Sequence, residues 1–214
     1  MTKELPTGVL FSFEGPEGSG KTTQVNMLYE YLKKRRLKCR KIKEPGSTLI
    51  GKHIRKILLT PTFQNISPIT EMFLYAAARS QLIHEIIKPA LLNKEIVLCD
   101  RYIDSSLVYQ GYANSLGLKN VFAINKRAIK GLMPQKTFLF MLKASKIEER
   151  LKKRQTKKDR IEAKPLDFHI KVCKGYLLLA KIFKKRIKVI DAQKDPLAIH
   201  KEVLEEILDY CKVI

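Results

Sequence analysis

Short apolar runs alternate along the chain with longer segments in which apolar positions recur at helical spacing. The short runs predict five β-strands, namely Val9–Phe13, Cys39–Ile42, Ile96–Cys99, Thr137–Leu142 and Val189–Ile190. The longer segments predict helices over Lys21–Arg36, Ile54–Leu59, Ile69–Leu92, a stretch starting near Ser105, Val121–Leu132, Ile147–Gln155, Leu166–Phe183 and Leu197–Tyr210. Strands separated by helices need crossover connections, so we predict an α/β fold with a parallel five-stranded sheet flanked by helices.

The sequence shows no sign of a domain boundary. No internal repeat, Gly/Ser-rich linker or low-complexity segment divides it, so residues 1–214 are predicted to form a single domain. Parallel α/β sheets bind their ligands outside the carboxyl ends of the strands. The two most informative motifs follow Phe13 and Cys99, which are the ends of two predicted strands.

A glycine-rich loop lies between the first predicted strand and the first predicted helix. It matches the pattern G-x-x-x-x-G-K-[ST] at every position, through Gly15, Pro16, Glu17, Gly18, Ser19, Gly20, Lys21 and Thr22, with Thr23 next. Its glycines let backbone N–H groups turn toward phosphate oxygens, and the following helix adds the positive end of its dipole. Lys21 would reach the β- and γ-phosphates and Thr22 would offer a hydroxyl to Mg²⁺. We therefore predict a P-loop that binds ATP with Mg²⁺, the alternative being a glycine-rich turn with an incidental lysine.

A carboxylate ends the apolar run Ile96–Asp100. P-loop enzymes hold Mg²⁺ with an acid at this place, directly or through water, so Asp100 is the second predicted metal residue. Arg101 places a cation beside it, and a purely structural ion pair is an equally good explanation of that neighbour.

A GTPase is the first alternative to exclude. The segment 156–159 (TKKD) resembles a guanine-binding [NT]-K-x-D element, but it follows a charged helical stretch rather than a buried strand. No D-x-x-G follows the candidate metal strand either. The sequence therefore argues against a GTPase.

Further motifs give the chain a resemblance to the bacterial thymidylate kinases, a family of P-loop nucleoside monophosphate kinases. They occur in family order, as FEGPEGSGKTT (13–23), EPG (44–46), YAAAR (75–79), DRYIDSSLVYQGY (100–112), DRIE (159–162) and DF (167–168). The block at 100–112 is the most specific, because P-loop proteins in general do not carry it. The resemblance implies transfer of the γ-phosphate of ATP to dTMP, giving dTDP and ADP for dTTP synthesis.

The resemblance also implies a role for each matched residue. Glu17 would approach the deoxyribose 3′-hydroxyl, and Glu44 with Asp100 would organise Mg²⁺ and the surrounding arginines. The remaining expected dTMP contacts are thymine stacking by Tyr75, base hydrogen bonding by Arg79, base-edge contacts by Ser106 and Gln110, exclusion of a 2′-hydroxyl by Tyr109, and phosphate binding by Arg55 and Arg101. Without the resemblance, the two tyrosines would be ordinary core aromatics and Arg55 a surface charge.

A basic segment follows the fourth predicted strand, and we predict that about residues 150–163 form a short lid. The variable P-loop positions hold no arginine, and the resemblance implies that the lid supplies one instead. Arg150 and Arg154 are spaced i, i+4 on a helical face, and Arg160 follows them. The predicted catalytic cations are Lys21, Arg101, Arg154 and Arg160. A solvated basic helix is the alternative for the lid arginines.

The net charge is unusual, since 42 Lys+Arg against 21 Asp+Glu leave +21. A nucleic-acid-binding P-loop protein is therefore an alternative, but only charge supports it, so nucleic acid is not an expected partner. The four cysteines form neither a CxxC pair nor a zinc-ligand pattern, which is typical of a reducing compartment. With no signal peptide and no apolar stretch of membrane-spanning length, we expect a cytoplasmic protein. The resemblance implies a homodimer.

Three positions depart from the family pattern. Gln135 and Met141 replace carboxylates, and Ser47 replaces a glycine. They leave open a kinase for another nucleotide or a deoxynucleoside, and a homologue that binds nucleotide without turnover. Glu17, Tyr109 and Gln110 favour dTMP.

Overall fold

The structure is a computed structural model, and it describes residues 8–63, 65–153 and 157–213. Within these ranges five parallel strands form one sheet, in the order β2-β3-β1-β4-β5. The strands are β1 (Val9–Glu14), β2 (Cys39–Lys43), β3 (Ile96–Asp100), β4 (Lys136–Met141) and β5 (Ile187–Asp191). The expected fold class is confirmed, and each predicted strand end lies within about two residues of the observed one.

Helices connect the strands and cover both faces of the sheet. They are α1 (Lys21–Lys34), α2 (Leu49–Leu59), α3 (Pro68–Leu82), α4 (Lys88–Leu92), α5 (Ile103–Ser106), α6 (Leu118–Ile129), α7 (Ala144–Lys153), α8 (Leu166–Ile182) and α9 (Pro196–Val213). Two π-helical segments, Ile83–Ile87 and Leu107–Ala113, join α3 to α4 and extend α5. Apolar spacing did not reveal them, because one widened turn barely changes the pattern. The second segment carries Tyr109 and Gln110, and π-helical turns often occur at functional sites.

The start of α2 was predicted wrongly. The sequence pattern placed it at Ile54, but the helix begins at Leu49, where the Thr48 side chain accepts a hydrogen bond of 2.9 Å from the Gly51 N–H. Leu49 and Ile50 are apolar but exposed, so the first turn does not follow an amphipathic pattern. The cap, rather than periodicity, sets the start of this helix.

The core consists of two apolar layers, one on each face of the sheet. On one face, Phe11 and Phe13 of β1 pack in a cluster that includes Leu28 of α1 and Ile207 of α9. On the other face, Leu10 lies in a cluster with residues of the π-helical segments, α6 and α8. Burial of each large apolar side chain contributes about 1.5–3 kcal/mol. These layers fix the sheet so that the strand ends and the loops after them converge at one edge.

Several large apolar side chains of α2 and α3 are exposed to solvent. They are Leu49, Ile50, Ile57, Ile69 and Phe73, with Phe73 at 53% relative exposure. Exposed apolar side chains are typical of a protein contact where they adjoin one another in a continuous patch. None of the helices that the structure describes has both the length and the apolar character needed to cross a membrane.

Candidate active site

The glycine-rich loop turns sharply between β1 and α1, as its sequence predicts. Gly15 has φ 139° and Gly20 has φ 87°, both in the region that favours glycine. A Cβ atom on Gly15 would lie 2.3 Å from the carbonyl oxygen of Phe140, so only glycine fits beside β4. The loop therefore brings its backbone up to the first turn of α1, where a helix N-terminus favours an anion.

Lys21 is buried at the start of α1. Its Nζ donates hydrogen bonds to the carbonyl oxygens of Gly15 (3.0 Å) and Pro16 (2.7 Å) and to Ser19 Oγ (3.2 Å). Burial, followed by repulsion from Arg101, lowers the pKa of Lys21 to about 7. A phosphate beside it would favour the charged ammonium again, which makes this lysine well suited to hold a triphosphate.

Two oxygen-bearing side chains meet next to the loop. Thr22 Oγ1 donates a hydrogen bond of 2.5 Å to Asp100 Oδ2, so the first turn of α1 touches the end of β3. A hydroxyl and a carboxylate with room for phosphate oxygens and water fit Mg²⁺, which takes oxygen ligands and keeps several waters. In the described ranges no three His, Cys, Asp or Glu side chains gather into a metal-binding group.

Arg101 lies beside the glycine-rich loop, residues 15–23, which is called the phosphate loop below. It also lines the cavity described below. Its Nη2 donates to Glu17 Oε1 at 2.9 Å, and its Nη1 donates to the Gly15 carbonyl at 3.0 Å. Burial opposes the charge on Glu17, but Arg101 and then Lys21 overcome it and hold the pKa of that carboxyl below its usual value. Tyr109 adds a hydrogen bond from its hydroxyl, 2.7 and 2.8 Å from the two Glu17 oxygens. Glu17 is therefore a fixed anion that joins the loop to Arg101 and Tyr109.

Arg79 of α3 is a buried residue at the cavity. It makes an ion pair with Glu44 and donates to Asn125 Oδ1, to Ser106 Oγ (3.1 Å) and to the Tyr102 carbonyl (3.3 Å). Burial raises the pKa of Glu44, while Arg79 opposes the rise. Paired in this way, the guanidinium keeps a fixed plane.

Gln110 is held by a second buried carboxylate. Its Nε2 donates to Glu71 Oε1 at 2.7 Å, and Arg160 forms an ion pair with the other Glu71 oxygen. Arg160 also donates through Nε to the Leu58 carbonyl at 2.7 Å. Gln110 is thereby oriented at the cavity, while Arg160 is buried beside the end of α2.

The predicted site residues surround one cavity of about 400 Å³, a size that suits a nucleotide. Its lining includes Glu17, Gly18, Ser19, Gly20, Lys21, Thr22, Thr23, Glu44, Arg55, Tyr75, Arg79, Asp100, Arg101, Ser106, Tyr109 and Gln110. Gly15, Pro16 and Arg160 are not among the lining residues, although Asp159, Ile161 and Glu162 are. Arg154 lies outside the described residues.

Tyr75 and Arg55 lie at the cavity on α3 and α2. Burial raises the pKa of Tyr75, so its phenol stays neutral. Arg55 Nη1 donates to the Pro45 carbonyl at 3.0 Å, which ties α2 to the loop after β2. Arg55 is therefore a cavity residue rather than a free surface charge.

Comparison with known proteins decides the family. The thymidylate kinase family matches residues 13–203 of this chain. A thymidylate kinase from Caldanaerobacter subterraneus subsp. tengcongensis is 47% identical over 206 residues, 96% of this chain and 97% of the relative. The chain belongs to the thymidylate kinase family. The expected activity, transfer of a phosphoryl group from ATP to dTMP, is thereby confirmed.

Further relatives of the enzyme agree over nearly the whole chain. A thymidylate kinase from Bacillus pumilus is 40% identical over 207 residues, which cover 96% of this chain and 98% of the relative. A crystal structure of thymidylate kinase from Ehrlichia chaffeensis superposes with a TM-score of 0.75 at 29% identity, covering 94% of this chain and 99% of that one. The family resemblance inferred from the motifs is therefore confirmed.

Several residues of the enzyme's site were not singled out from sequence. Glu71 resembles an ordinary acidic residue of a first helical turn, and Asn125 an ordinary helix amide. His169 is buried on α8 with Nδ1 3.7 Å from Glu17 Oε2. Arg150, noted only for its spacing, donates to the carbonyl oxygens of Gly18 (3.1 Å) and Ala192 (2.8 Å). Each contact joins segments far apart in the chain, and no local pattern signals it.

Proposed function

We propose that the enzyme binds the triphosphate of ATP along Gly15–Thr23 and binds dTMP against Tyr75, Arg79, Tyr109 and Gln110, making dTDP for dTTP synthesis. The main support is Arg101, which donates to Gly15 and Glu17 of the phosphate loop and lies over the ring of Tyr109. A cation in that place lies between the two substrates. Phosphoryl transfer needs such positioning and charge more than covalent chemistry by the protein.

The phosphate-binding roles follow from the contacts of the loop. Lys21 would leave its loop carbonyls for the β- and γ-phosphates, since an anion is the better acceptor for an ammonium. Arg101 and Arg55 would hold the dTMP phosphate. Thr22 and Asp100 would hold Mg²⁺, which neutralises charge on the phosphate oxygens when it is bound.

The base-binding roles rest on residues that line the cavity. Arg79 lines the cavity, where Glu44 and Ser106 hold its guanidinium in a fixed position beside which the thymine would lie. Tyr75 supplies an aromatic face for stacking, and Ser106 and Gln110 supply polar groups for the base edge. Tyr109 lies against Glu17, where it would pack on the sugar and leave no room for a 2′-hydroxyl.

We also propose one catalytic domain over residues 1–214 with a basic lid at about 150–163. The support is the single sheet formed by the described residues, and Arg150, which already contacts the phosphate loop. Catalytic roles for Arg154 and Arg160 stay predictions. Arg160 would have to leave Glu71 before its charge could reach the transferred phosphoryl group.

A homodimer is the proposed assembly, formed through the apolar surface of α2 and α3. The five exposed apolar side chains of these helices support it, because a twofold contact would bury them. Light scattering of the eluting protein should give twice the chain mass of 24.7 kDa. Phe73→Glu should shift the mass to that of one chain, while Leu197→Glu, at an exposed position of α9, should not. A wild-type protein with the mass of one chain would contradict the dimer.

We place the enzyme in the cytoplasm. Cys39, Cys99, Cys173 and Cys211 are all free thiols in the structure, which fits a reducing compartment. When the purified enzyme is unfolded without a reducing agent, a thiol reagent should label all four cysteines.

The test of the function is ADP release from ATP and Mg²⁺ with each of six acceptors in turn. They are dTMP, dUMP, ribothymidine 5′-monophosphate, dCMP, dGMP and thymidine. We expect strong turnover with dTMP, lost in Lys21→Ala and in Arg101→Ala. Equal turnover with another acceptor would contradict the proposal that Tyr75, Arg79 and Gln110 select thymine. ATP binding without turnover on any acceptor would contradict the proposed function.

A further inference from the structure

Glu14 is a buried carboxylate with no part in the roles proposed above. It is the last residue of β1, directly before Gly15, and its relative exposure is 0%. Side chains alternate along β1, so Glu14 lies with Leu10 on the face covered by α8, while Phe11 and Phe13 lie on the opposite face. Burial of a carboxylate is unfavourable unless its oxygens accept hydrogen bonds, so its donors indicate its role.

Four hydrogen bonds end on the Glu14 carboxylate. Oε1 accepts from the backbone N–H groups of Tyr102 (2.7 Å) and Ser105 (3.3 Å). Oε2 accepts from Ser105 Oγ (2.6 Å) and from the Tyr176 hydroxyl (2.9 Å). The two hydroxyl oxygens are also 3.0 Å apart. An ionised carboxylate only accepts, so it favours the arrangement in which both hydroxyls donate to Glu14 over the one in which one donates to the other.

The same two hydroxyls are acceptors for Arg101. Its Nη1 donates to Ser105 Oγ and to the Tyr176 hydroxyl, both at 3.2 Å. This is possible because the hydroxyl hydrogens point toward Glu14 and leave oxygen lone pairs for the guanidinium. A hydroxyl turned the other way would set its O–H against the N–H of Arg101. The charge state of Glu14 therefore governs how well Arg101 is held.

We propose that Glu14 is a positioning residue for phosphoryl transfer: through Ser105 and Tyr176 it fixes the Arg101 guanidinium in the orientation that receives the dTMP phosphate. The inference rests on the phosphate-binding role proposed above for Arg101. Glu14 does not line the cavity and acts only through these neighbours.

The electrostatic surroundings of Glu14 make this arrangement sensitive to pH. Burial, followed by repulsion from Asp104, raises the pKa of Glu14 to about 7, although Arg101 and the hydrogen bonds from Ser105 and Tyr102 oppose the rise. The other charged or titratable groups near it are Lys21 of α1, Arg79 of α3, Cys99 of β3, Tyr176 of α8 and Arg186 before β5. As the pH falls through about 7, the carboxylate gains a proton and no longer accepts from both hydroxyls.

The decisive variant is Glu14→Gln, which keeps the shape but adds an amide donor where the two hydroxyl hydrogens meet. We expect kcat/KM for dTMP to fall about tenfold or more, with KM for ATP within about twofold of wild type. Glu14→Asp restores an acceptor and should recover part of the loss. Glu202→Gln is the matched control, because that carboxylate pairs with Lys194 at the surface, and its kinetics should equal those of wild type.

Two further measurements separate positioning from a general structural role. In a Ser105→Ala/Tyr176→Phe background, Glu14→Gln should change kcat/KM for dTMP by less than about twofold, because the connecting hydroxyls are gone. The ratio of wild-type to Glu14→Gln kcat/KM should rise with pH through about 7. Both enzymes meet the same dTMP phosphate, so its own ionisation cancels in the ratio.

The proposal is overturned if Glu14→Gln has wild-type dTMP kinetics, or if it loses ATP and dTMP affinity alike. The proposal is also overturned if Glu14→Gln lowers kcat/KM for dTMP by the same factor in the Ser105→Ala/Tyr176→Phe background as in the wild type. Should Glu14→Gln not fold, as judged by its melting curve, Tyr176→Phe alone must show the dTMP-selective loss. Failure of the proposed function looks different: the wild-type enzyme would not phosphorylate dTMP, or Arg101→Ala would be as active as wild type.

Discussion

Tyr109 donates its phenolic hydrogen to the Glu17 carboxylate, with oxygen distances of 2.7 and 2.8 Å. The two residues are far apart in the chain, one in the phosphate loop and one in a π-helical segment. Their contact joins the phosphate loop to the π-helical segment Leu107–Ala113. Arg101 lies over the Tyr109 ring, 5.2 Å from its centre, and pairs with the same carboxylate.

Tyr109→Phe removes that hydrogen bond and keeps the ring. We expect kcat/KM for dTMP to fall roughly tenfold, the usual loss for a hydrogen bond to a charged group. Discrimination against the ribonucleotide should persist in Tyr109→Phe and decline in Tyr109→Ala, since the ring is proposed to fill the space below the sugar. Steady-state kinetics with both nucleotides measures this. Tyr29→Phe, at a tyrosine that does not line the cavity, is the control. Full dTMP activity in Tyr109→Phe would show that the contact is dispensable.

Lys21→Ala should lower kcat by about a hundredfold or more, because a positioned cation on the transferred phosphoryl group is lost. Lys21→Arg should not restore activity, since a planar guanidinium does not fit the place of a compact ammonium. The rate of ADP release at saturating ATP measures the effect. Lys194→Ala, at an exposed lysine, should keep the wild-type rate. Residual activity above a tenth of wild type would contradict the assigned role.

Stability should depend on pH through Glu14. Its pKa is raised from 4.5 to about 7 in the folded chain, so the folded state binds the proton more tightly than the unfolded one. The resulting stabilisation is complete below about pH 4.5 and is lost as the pH rises through about 7. Between pH 5 and 8 the wild type should lose roughly 2–3 kcal/mol of unfolding free energy relative to Glu14→Gln.

Urea unfolding of both proteins at pH 5 and pH 8 gives this difference, and groups that do not interact with Glu14 cancel in the comparison. A difference that is the same at both pH values would show that Glu14 does not titrate in this range.

Arg186→Met should destabilise the fold by about 3 kcal/mol. Arg186 donates to both oxygens of buried Asp104, at 2.6 and 2.8 Å, and its loss leaves that carboxylate without its cation. Asp104→Asn in the same chain should recover much of the loss, because the amide carries no charge. Thermal or urea unfolding measures it. Lys194→Met, at an exposed pair with Glu202, should change stability by less than about 0.5 kcal/mol, and an equal cost there would contradict the argument.

The helical stretches show where sequence patterns succeed and where they do not. The predicted helix Leu166–Phe183 agrees with α8 to within a residue, because its apolar positions are covered on one side along its whole length. The predicted helix Ile69–Leu92 is divided in the structure by the π-helical segment Ile83–Ile87. Hydrogen-bond spacing changes there without a change in composition, so periodicity has nothing to detect.

The sequence by itself determined the phosphate loop, the carboxylate at the end of β3 and the family. Each depends on residues that are neighbours in the chain, and local chemistry requires glycine, lysine and threonine at those spacings. The parallel sheet followed from the alternation of strands and helices, since crossovers leave little other choice.

Only the tertiary structure decided which groups hold the site residues in place. Glu14 reaches Tyr176 across the sheet face, Glu71 joins Gln110 to Arg160, and Asn125 accepts from Arg79. These partners are separated by tens of residues, and they meet because buried polar groups must find donors and acceptors wherever the packed elements bring them. A carboxylate or amide in a helix looks the same in sequence whether it faces water or a buried arginine.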